Sequence, residues 1–363
     1  MPAGKLVFAA GNVGDYDIFL YDFASGKLTQ LTSDTAWNDY PRFSPDASKI
    51  AFGTTRSGKQ EIWTMNTDGS CAKPLTAALK WADFPTWSPD GKEIAFVSSE
   101  YFQMDIFSIH LETGKLSRWT DNDNFDCYPD WSPDGRHIAY SSQRGMHQDI
   151  YILDLATLEE KRMTTHPGPD TSPSFSPDGK RIAFVSQRPD QNRSLEFMRS
   201  FSDFFLGNDH TDIWTVELST GSLKQMTTNR GVDRNARWSP DGKYLAYTSS
   251  SVDKADARIM ICEVATDKIT PLRFDESMVR NELERPFIAD LNKPTDPSVL
   301  AAPVSKFDDI LYKFGLKMTP HLKGNDPAWE KGIQGKYEEF EKICQQRVID
   351  KLHPITARYL DWK

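Results

Sequence analysis

The tripeptide Ser-Pro-Asp recurs along this chain with a period of 44 residues, and a fifth copy follows after an insertion of 19 residues. The copies begin at Ser44, Ser88, Ser132, Ser176 and Ser239. Two other markers keep the same phase: an acidic residue followed by Ile and usually an aromatic residue, as in Asp105-Ile106-Phe107, and an apolar residue followed by Thr, as in Trp119-Thr120. A fixed period of this length indicates a repeat architecture in which each unit is one supersecondary element.

Each repeat has the pattern of four short strands. In one copy the first strand ends at Trp87, the turn is Ser88-Pro89-Asp90-Gly91, and the second strand is Glu93-Ile94-Ala95-Phe96-Val97. Asp-Gly between apolar runs is a strong hairpin signal, because Gly tolerates positive φ and Asp can bond its own backbone. Four strands in 40–45 residues are typical of a propeller blade. The sequence therefore predicts an all-β propeller of four-stranded antiparallel blades.

The number of blades follows from where the repeat starts and ends. Lys5-Leu6-Val7-Phe8 lies 44 residues before Lys49-Ile50-Ala51-Phe52, so the chain begins at the second strand of a blade. We expect six blades, with the missing strand supplied by Arg285-Pro286-Phe287-Ile288. On this reading residues 1–291 form the propeller, closed by a strand near 285–289, and residues 292–363 form a linker and an α-helical extension. An apolar stripe predicts a helix over 327–352, which packs on the propeller or docks a partner.

The repeats Phe84–Phe96 and Tyr128–Gly135 resemble the PD40 (WD40-like) repeat of TolB-like proteins, and the resemblance covers about residues 5–290. It implies a six-bladed propeller. Similar blades occur in TolB, in oligogalacturonate lyases and in the propeller domains of prolyl-oligopeptidase-type proteases, so the resemblance leaves the function open. No Gly-x-Ser-x-Gly elbow occurs in the sequence, which sets the peptidase reading aside.

Charge and hydropathy exclude two classes of partner. The net charge is −9, whereas a nucleic-acid or anionic-membrane partner would require a basic face. No apolar run approaches the ~20 residues that a membrane-spanning helix needs. The first residues, Met1-Pro2-Ala3-Gly4, do not have the pattern expected of a signal peptide. We therefore expect a cytoplasmic protein if residue 1 is the native start, and a periplasmic or otherwise exported one if a leader has been removed.

The rim opposite the Ser-Pro-Asp turns carries charged residues that could bind a ligand. The blade connections on this rim place carboxylates at Asp39, Asp83, Asp126, Asp170 and Asp233, and the inner strands add Arg42, Asp130 and Arg237 near the channel. Such residues could hold a cation or a basic partner, or they could cap the blade-connecting turns. Arg144 and Arg188, which end second strands, could bind a carboxylate or pair with an acid of a neighbouring blade.

The same rim has an apolar insertion and three histidines. Phe197, Phe201, Phe204 and Phe205 predict a short amphipathic helix that acts as a lid or contacts a partner. His147, His166 and His210 fall on adjacent blades and could bind a divalent metal such as Ca, Mn or Zn. Oligogalacturonate lyases, as a family, use a His-bound metal beside the propeller mouth. No local His motif matches theirs, and loop histidines are usually solvated.

Two functions remain open. The sequence favours a non-catalytic scaffold without a cofactor, which presents the rim to a protein or glycan partner, because no convincing nucleophile–base arrangement appears. The alternative is a carbohydrate-active enzyme resembling oligogalacturonate lyase. It would act on oligosaccharides that contain uronic acid, with a metal at the three histidines.

Overall fold

A computed structural model describes residues 2–12, 15–100, 103–145, 147–188, 211–228, 231–251, 257–273 and 356–363. These residues belong to one compact unit, Met1–Asp275 with Pro354–Lys363. They form six four-stranded antiparallel sheets, which confirms the predicted six-bladed propeller. In each blade the strands run outward from the channel, and the second strand packs against the inner strand of the next blade.

The first three blades have the following strands, in order from the channel outward. Blade 1 is β24 (Thr356–Trp362), β1 (Lys5–Asn12), β2 (Asp15–Asp22) and β3 (Lys27–Gln30). Blade 2 is β4 (Asn38–Phe43), β5 (Lys49–Thr54), β6 (Glu61–Asn66) and β7 (Lys73–Pro74). Blade 3 is β8 (Ala82–Trp87), β9 (Glu93–Ser98), β10 (Asp105–His110) and β11 (Leu116–Arg118).

Blades 4 to 6 repeat this order. Blade 4 is β12 (Phe125–Trp131), β13 (His137–Arg144), β14 (His147–Asp154) and β15 (Glu160–Arg162). Blade 5 is β16 (Asp170–Phe175), β17 (Arg181–Ser186), β18 (Asp212–Glu217) and β19 (Leu223–Gln225). Blade 6 is β20 (Gly231–Trp238), β21 (Tyr244–Ser251), β22 (Ala257–Glu263) and β23 (Lys268–Pro271).

The strand that closes the ring differs from the predicted one. The free edge of β1 pairs antiparallel with β24, with Leu6 opposite Trp362, so the prediction of a closing strand near 285–289 is wrong. Trp362 is 2% exposed, its indole Nε1 donates to the backbone oxygen of Ala3 at 2.9 Å, and its ring stacks on Phe23. The buried Trp362 anchors the segment 356–362 as the strand that pairs with β1. Residues 285–289 themselves lie outside the described residues.

The predicted helix over 327–352 and the phenylalanine-rich insertion also lie outside the described residues, so neither is tested. The part of the chain that the structure describes contains strands, turns and loops but no helix, and it therefore offers no helix able to span a membrane.

The phased sequence markers have structural roles within each blade. In blade 3 the hydroxyl of Thr120 accepts a hydrogen bond from the backbone N–H of Ile106 at 2.9 Å, and Arg118 pairs with the buried Asp105 at 2.7 Å. The Thr hydroxyl accepts the same bond in the other four copies of the marker. The third strand is thereby tied to the segment that follows the fourth strand. Both markers consequently report blade structure rather than a ligand site.

The Ser-Pro-Asp tripeptide builds the hairpin turn at the opposite rim. Ser88 Oγ donates to Asp90 Oδ1 at 2.7 Å and accepts from the backbone N–H of Glu93 at 2.9 Å. Asp90 Oδ1 also accepts from the N–H of Lys92, and the bond from Ser88 is the main reason that the pKa of Asp90 is lowered. The residue after Asp90 is Gly91, with φ of +69°. The tripeptide recurs because this turn requires it.

One turn departs from the Asp-Gly pattern and gives a stability prediction. Ala47 takes the place of the glycine and has φ of 57°, in the left-handed region that strains a residue with a Cβ. We expect Ala47→Gly to raise the free energy of unfolding by about 1 kcal/mol, because glycine adopts this backbone without strain. Chemical denaturation at equilibrium measures the change.

The reverse substitution in the next blade is the matched control. A Cβ at Gly91 would meet only Pro45, at an ordinary contact distance of 3.7 Å, so any loss reports backbone strain alone. Gly91→Ala should lower the free energy of unfolding by about 1 kcal/mol. Two substitutions that shift stability in the same direction would contradict this account of the turn.

Candidate binding site at the channel

The inner strands of blades 2 to 6 share one irregularity in their pairing with the second strand. The pairing of inner and second strands shifts register in the middle of β4, β8, β12, β16 and β20. At this bulge one residue adopts positive φ, between 46° and 58°: Tyr40, Phe84, Tyr128, Ser172 and Asn235. Non-glycine residues rarely adopt this conformation, and it costs of order 1 kcal/mol or more for each bulky side chain. The same bulge thus places one residue of each of these five inner strands in the left-handed region.

Three of these side chains form an aromatic cluster from three adjacent blades. The ring centroids of Tyr40 and Phe84 are 4.3 Å apart, and those of Phe84 and Tyr128 are 4.5 Å apart. The rings of Tyr40 and Tyr128, two blades apart, are 6.2 Å from each other. All three residues are half-buried. Blades 5 and 6 have Ser172 and Asn235 at the equivalent position, so among blades 2 to 6 the aromatic residues of this position belong to blades 2, 3 and 4.

A charged cluster lies on the four inner strands β4, β12, β20 and β24, two residues after the position that Tyr40 occupies in β4. It consists of Arg42, Asp130, Arg237 and Asp361. Asp130 Oδ1 lies 3.6 Å from Arg42 and 3.8 Å from Arg237, and Asp361 Oδ1 lies 3.8 Å from Arg42. Both carboxylates also bind the next inner strand: Asp130 accepts from the N–H of Phe175, and Asp361 from the N–H of Phe43, each at 2.7 Å. The cluster thus links blades 1, 2, 4, 5 and 6 across the channel.

Burial strongly perturbs this cluster. Arg237 is 8% exposed, and its burial together with the nearby Arg42 lowers its pKa to about 9. Burial raises the pKa of Asp130, against the opposing effect of Arg237 and Arg42. The Nε of Arg237 has no hydrogen-bond partner among the described residues. Two cations balance two carboxylates, so the cluster is a neutral, preorganised layer beside the aromatic rings.

Sequence reasoning placed Arg42, Asp130 and Arg237 near the channel but missed Asp361 and the aromatic cluster. A signal for Asp361 was available: Tyr359-Leu360-Asp361-Trp362 repeats the aromatic-x-Asp-Trp pattern of Tyr128-Pro129-Asp130-Trp131. The Ser-Pro-Asp marker could not identify this strand, because no copy of the marker follows Trp362 in the sequence.

The five predicted rim carboxylates occupy two different strand positions and are all buried. Asp126, Asp170 and Asp233 are 0% exposed, whereas Asp39 and Asp83, one position further along, are 4% and 5% exposed. Asp126 accepts from the side-chain amide of Asn122 at 3.1 Å, and burial raises its pKa to about 6. Asp170 pairs with Arg188 at 2.6 Å. The five carboxylates consequently do not form an open ring at the mouth.

The two predicted anion-binding arginines are both engaged within their own blades. Arg144 pairs with Glu160 at 2.6 Å and lies over the ring of Tyr151 at 3.8 Å. Arg188 is 8% exposed and pairs with Asp170 of the same blade. Each pairing therefore joins strands of one blade rather than two neighbouring blades.

The predicted metal site is described only in part. His147 is exposed at the start of β14. His166 is half-buried, its Nδ1 accepts from the N–H of Gly168 at 2.9 Å, and burial together with Arg188 lowers its pKa. His210 lies outside the described residues. Among the residues with described positions, no three or more His, Cys, Asp or Glu side chains are arranged to hold a metal.

Comparisons with known proteins agree with the propeller fold. Residues 81–193 match the family model of the TolB beta propeller domain, PD40. No curated protein sequence matches the chain. Among solved structures, TolB from Acinetobacter baumannii is 21% identical with a TM-score of 0.61, and the match covers 75% of this chain and 64% of that one. This chain thus spans less than two thirds of that TolB.

Two further structures are similar. A protein assigned as TolB from Agrobacterium tumefaciens is 20% identical with a TM-score of 0.59, over 75% of this chain and 89% of that one. An oligogalacturonate lyase in complex with manganese is 16% identical with a TM-score of 0.49, over 75% of this chain and 74% of that one. The described residues thus form a six-bladed β-propeller, and residues 81–193 within it match the PD40 model of the TolB beta propeller domain.

Proposed function

We propose that this propeller is a non-catalytic scaffold that binds a protein or another ligand at the channel mouth opposite the Ser-Pro-Asp turns. The observation that carries the proposal is the aromatic cluster, because Tyr40, Phe84 and Tyr128 come from three adjacent blades, bring their rings together and stay half-buried. Tyr and other aromatic residues also dominate the energetics of protein interfaces.

The charged cluster supports binding rather than catalysis. Its two arginines and two aspartates are paired with one another, and both carboxylates also hold backbone N–H groups. Groups held this rigidly can orient a partner at small entropic cost. The two carboxylates that would have to act as acid, base or nucleophile are each already engaged by an arginine and a backbone N–H.

A triple substitution tests the proposal. Replacing Tyr40, Phe84 and Tyr128 by serine copies the residue that blade 5 uses at the same position, Ser172. Circular dichroism checks that the ring stays folded, because Phe84 and Tyr128 also pack against the core of blades 3 and 4. We expect the affinity for a partner captured with the wild-type chain to fall at least about thirtyfold, because aromatic anchors at an interface contribute ~2 kcal/mol or more. Affinity capture followed by isothermal titration of the isolated partner gives the measurement.

A control variant replaces three exposed leucines outside the channel by serine. Leu158, Leu223 and Leu116 are exposed, and their replacement by serine removes three apolar side chains away from the channel. This variant should bind like the wild type. If the channel variant retains wild-type affinity, the aromatic cluster is not the binding surface, and the proposal of a partner bound at the channel mouth is wrong.

A further inference from the structure

Blades 2, 4 and 5 place an arginine at or just after the end of the second strand. These arginines are Arg56, Arg144 and Arg188. In each of the three blades, the hydroxyl residue two positions before the arginine pairs with a polar residue of the inner strand: Thr54 with Asn38, Ser142 with Asp126, and Ser186 with Asp170. The three blades therefore offer equivalent surroundings to one guanidinium group.

In blades 2 and 5 the guanidinium reaches the inner strand. Arg56 Nη2 donates to Asn38 Oδ1 at 3.2 Å, and Arg188 Nη2 donates to Asp170 Oδ2 at 2.6 Å. Each of these groups lies over the aromatic rings of both the second and the third strand, 4.8 to 5.5 Å from their centroids. This inward position thus ties the second strand to the inner strand.

In blade 4 the guanidinium points outward instead. Arg144 Nη2 pairs with Glu160 Oε2 of the fourth strand at 2.6 Å and lies 3.8 Å from the ring of Tyr151 on the third strand. The hydroxyl of Tyr140 donates to the other carboxylate oxygen of Glu160. Four of the other blades have an apolar residue at the position of Glu160: Leu28, Leu116, Leu223 and Ile269. The acid that draws Arg144 outward therefore belongs to blade 4.

The outward position of Arg144 leaves Asp126 buried without an ion pair among the described residues. Asp126 is 0% exposed, and its Oδ2 accepts from Asn122 at 3.1 Å, whereas Oδ1 has no partner at hydrogen-bond distance within the described ranges. Burial raises the pKa of Asp126 to about 6, although the nearby hydroxyls of Ser142 and Thr120 favour the ionised form. Arg144 is one hydroxyl away, because its Nε donates to Ser142 Oγ at 3.1 Å.

The titratable groups around Asp126 would oppose its ionisation. Glu160 adds to the effect of burial on the pKa of Asp126, and the charge of Asp126 in turn raises the pKa values of the buried Tyr140 and Cys127. The neighbouring strands β8, β10 and β16 contribute further acids at this end: Asp83, Asp105 and Asp170. Arg144 is the cation that Ser142 already links to Asp126.

We propose that Arg144 is a two-position switch controlled by the protonation of Asp126. While Asp126 is protonated, Glu160 holds the guanidinium outward, and when Asp126 ionises, the guanidinium moves inward and pairs with it. A buried carboxylate without a cation is costly, whereas the side chain of Glu160 is 27% exposed and can be solvated when Arg144 leaves it. Asp126 lies two residues before the blade 4 member of the aromatic cluster. A consequence for partner binding rests on the proposed function, whereas the switch does not.

The sign of the pH dependence follows from the direction of the shift. An unfolded Asp releases its proton near pH 4, whereas Asp126 in the outward state holds its proton up to about pH 6. The stability that the protonated Asp126 contributes is therefore fully present below about pH 4 and is lost as the pH rises toward 6. Inward pairing limits this loss, because it stabilises the ionised form.

A ¹³C titration of the Asp126 carboxyl in the full chain, without any partner, tests whether Arg144 reaches it. Glu160→Leu introduces the residue of blades 3 and 5 and removes the outward partner, so the titration midpoint should fall by about two pH units. Adding Arg144→Met to Glu160→Leu should raise the midpoint by about the same amount. Equal midpoints in the single and double variants would overturn the proposal. If Glu160→Leu fails to fold, Glu160→Gln provides the same comparison.

A matched control separates the contact from a change in net charge. Glu159→Leu removes the charge of the exposed neighbouring residue and should keep the wild-type midpoint of Asp126. The resonance itself is identified by its absence in Asp126→Asn.

Crystal structures of the wild type at about pH 5 and pH 8 test the exchange between the two positions. The guanidinium of Arg144 should contact Glu160 at the lower pH and Asp126 at the higher pH. A guanidinium that stays on Glu160 at pH 8 would contradict the switch, even if the variants show that Asp126 is within its reach. All of these measurements use the chain alone, so their failure would leave the binding proposal unaffected.

Discussion

A chain that ends at residue 355 is expected to lose the cooperative unfolding of the wild type. The deletion removes β24, which is the whole inner strand of blade 1, and it leaves the backbone edge of β1 without its partner. It also removes Trp362, which stacks on Phe23, and Asp361, which holds the N–H of Phe43 in blade 2. The ring would open between blades 1 and 6.

We expect this loss to exceed about 5 kcal/mol, because burying a Trp side chain alone contributes ~3–5 kcal/mol and the strand pairing adds to it. Denaturant unfolding followed by circular dichroism gives the measurement, and Trp362→Phe, with a far smaller expected loss, is the control. A synthetic peptide of residues 354–363, added in trans, should restore part of the transition. A truncated chain with the wild-type midpoint would show that β24 does not close the ring.

Neutralising Asp130 is expected to produce the second large effect. Asp130→Asn keeps an acceptor for the N–H of Phe175 but leaves the buried Arg42 and Arg237 with one carboxylate between them. Breaking a buried ion pair by removing one partner costs ~3–5 kcal/mol, because an uncompensated charge stays in the interior. The free energy of unfolding should fall by about this amount.

A double variant distinguishes this cause from a general packing defect. Adding Arg237→Met to Asp130→Asn restores the charge balance of the cluster, so the double variant should be more stable than Asp130→Asn alone. Asp134→Asn, on the exposed turn four residues away, should cost ~1 kcal/mol or less. Additive losses in the double variant would mean that the two side chains are not coupled across the channel.

The blades could be predicted from the sequence because their determinants are local. Ser88, Asp90 and Gly91 specify one turn by bonds within six residues, and the Thr120 marker binds the neighbouring strand of its own blade. The closing strand has no such local determinant. Its position depends on pairing between residues about 350 apart in sequence. The sequence of segment 285–288 also fits a strand, so the local pattern could not decide between the two.

Sequence analysis could predict only those residues of the candidate site whose surroundings follow from their position along an inner strand. Arg42, Asp130 and Arg237 share one inner-strand position, and that position alone places them at the channel. The convergence of Tyr40, Phe84 and Tyr128 requires the bulge and its left-handed residue, which the local pattern does not reveal.

The most direct test of the proposed function is the footprint of a bound partner on the ring. Hydrogen–deuterium exchange of the chain with and without its captured partner should show protection at the bulges of β4, β8 and β12 and in the connections that precede them. The Ser-Pro-Asp turns of the same blades should exchange at unchanged rates. Protection confined to those turns, or to the outer strands, would contradict binding at the channel mouth.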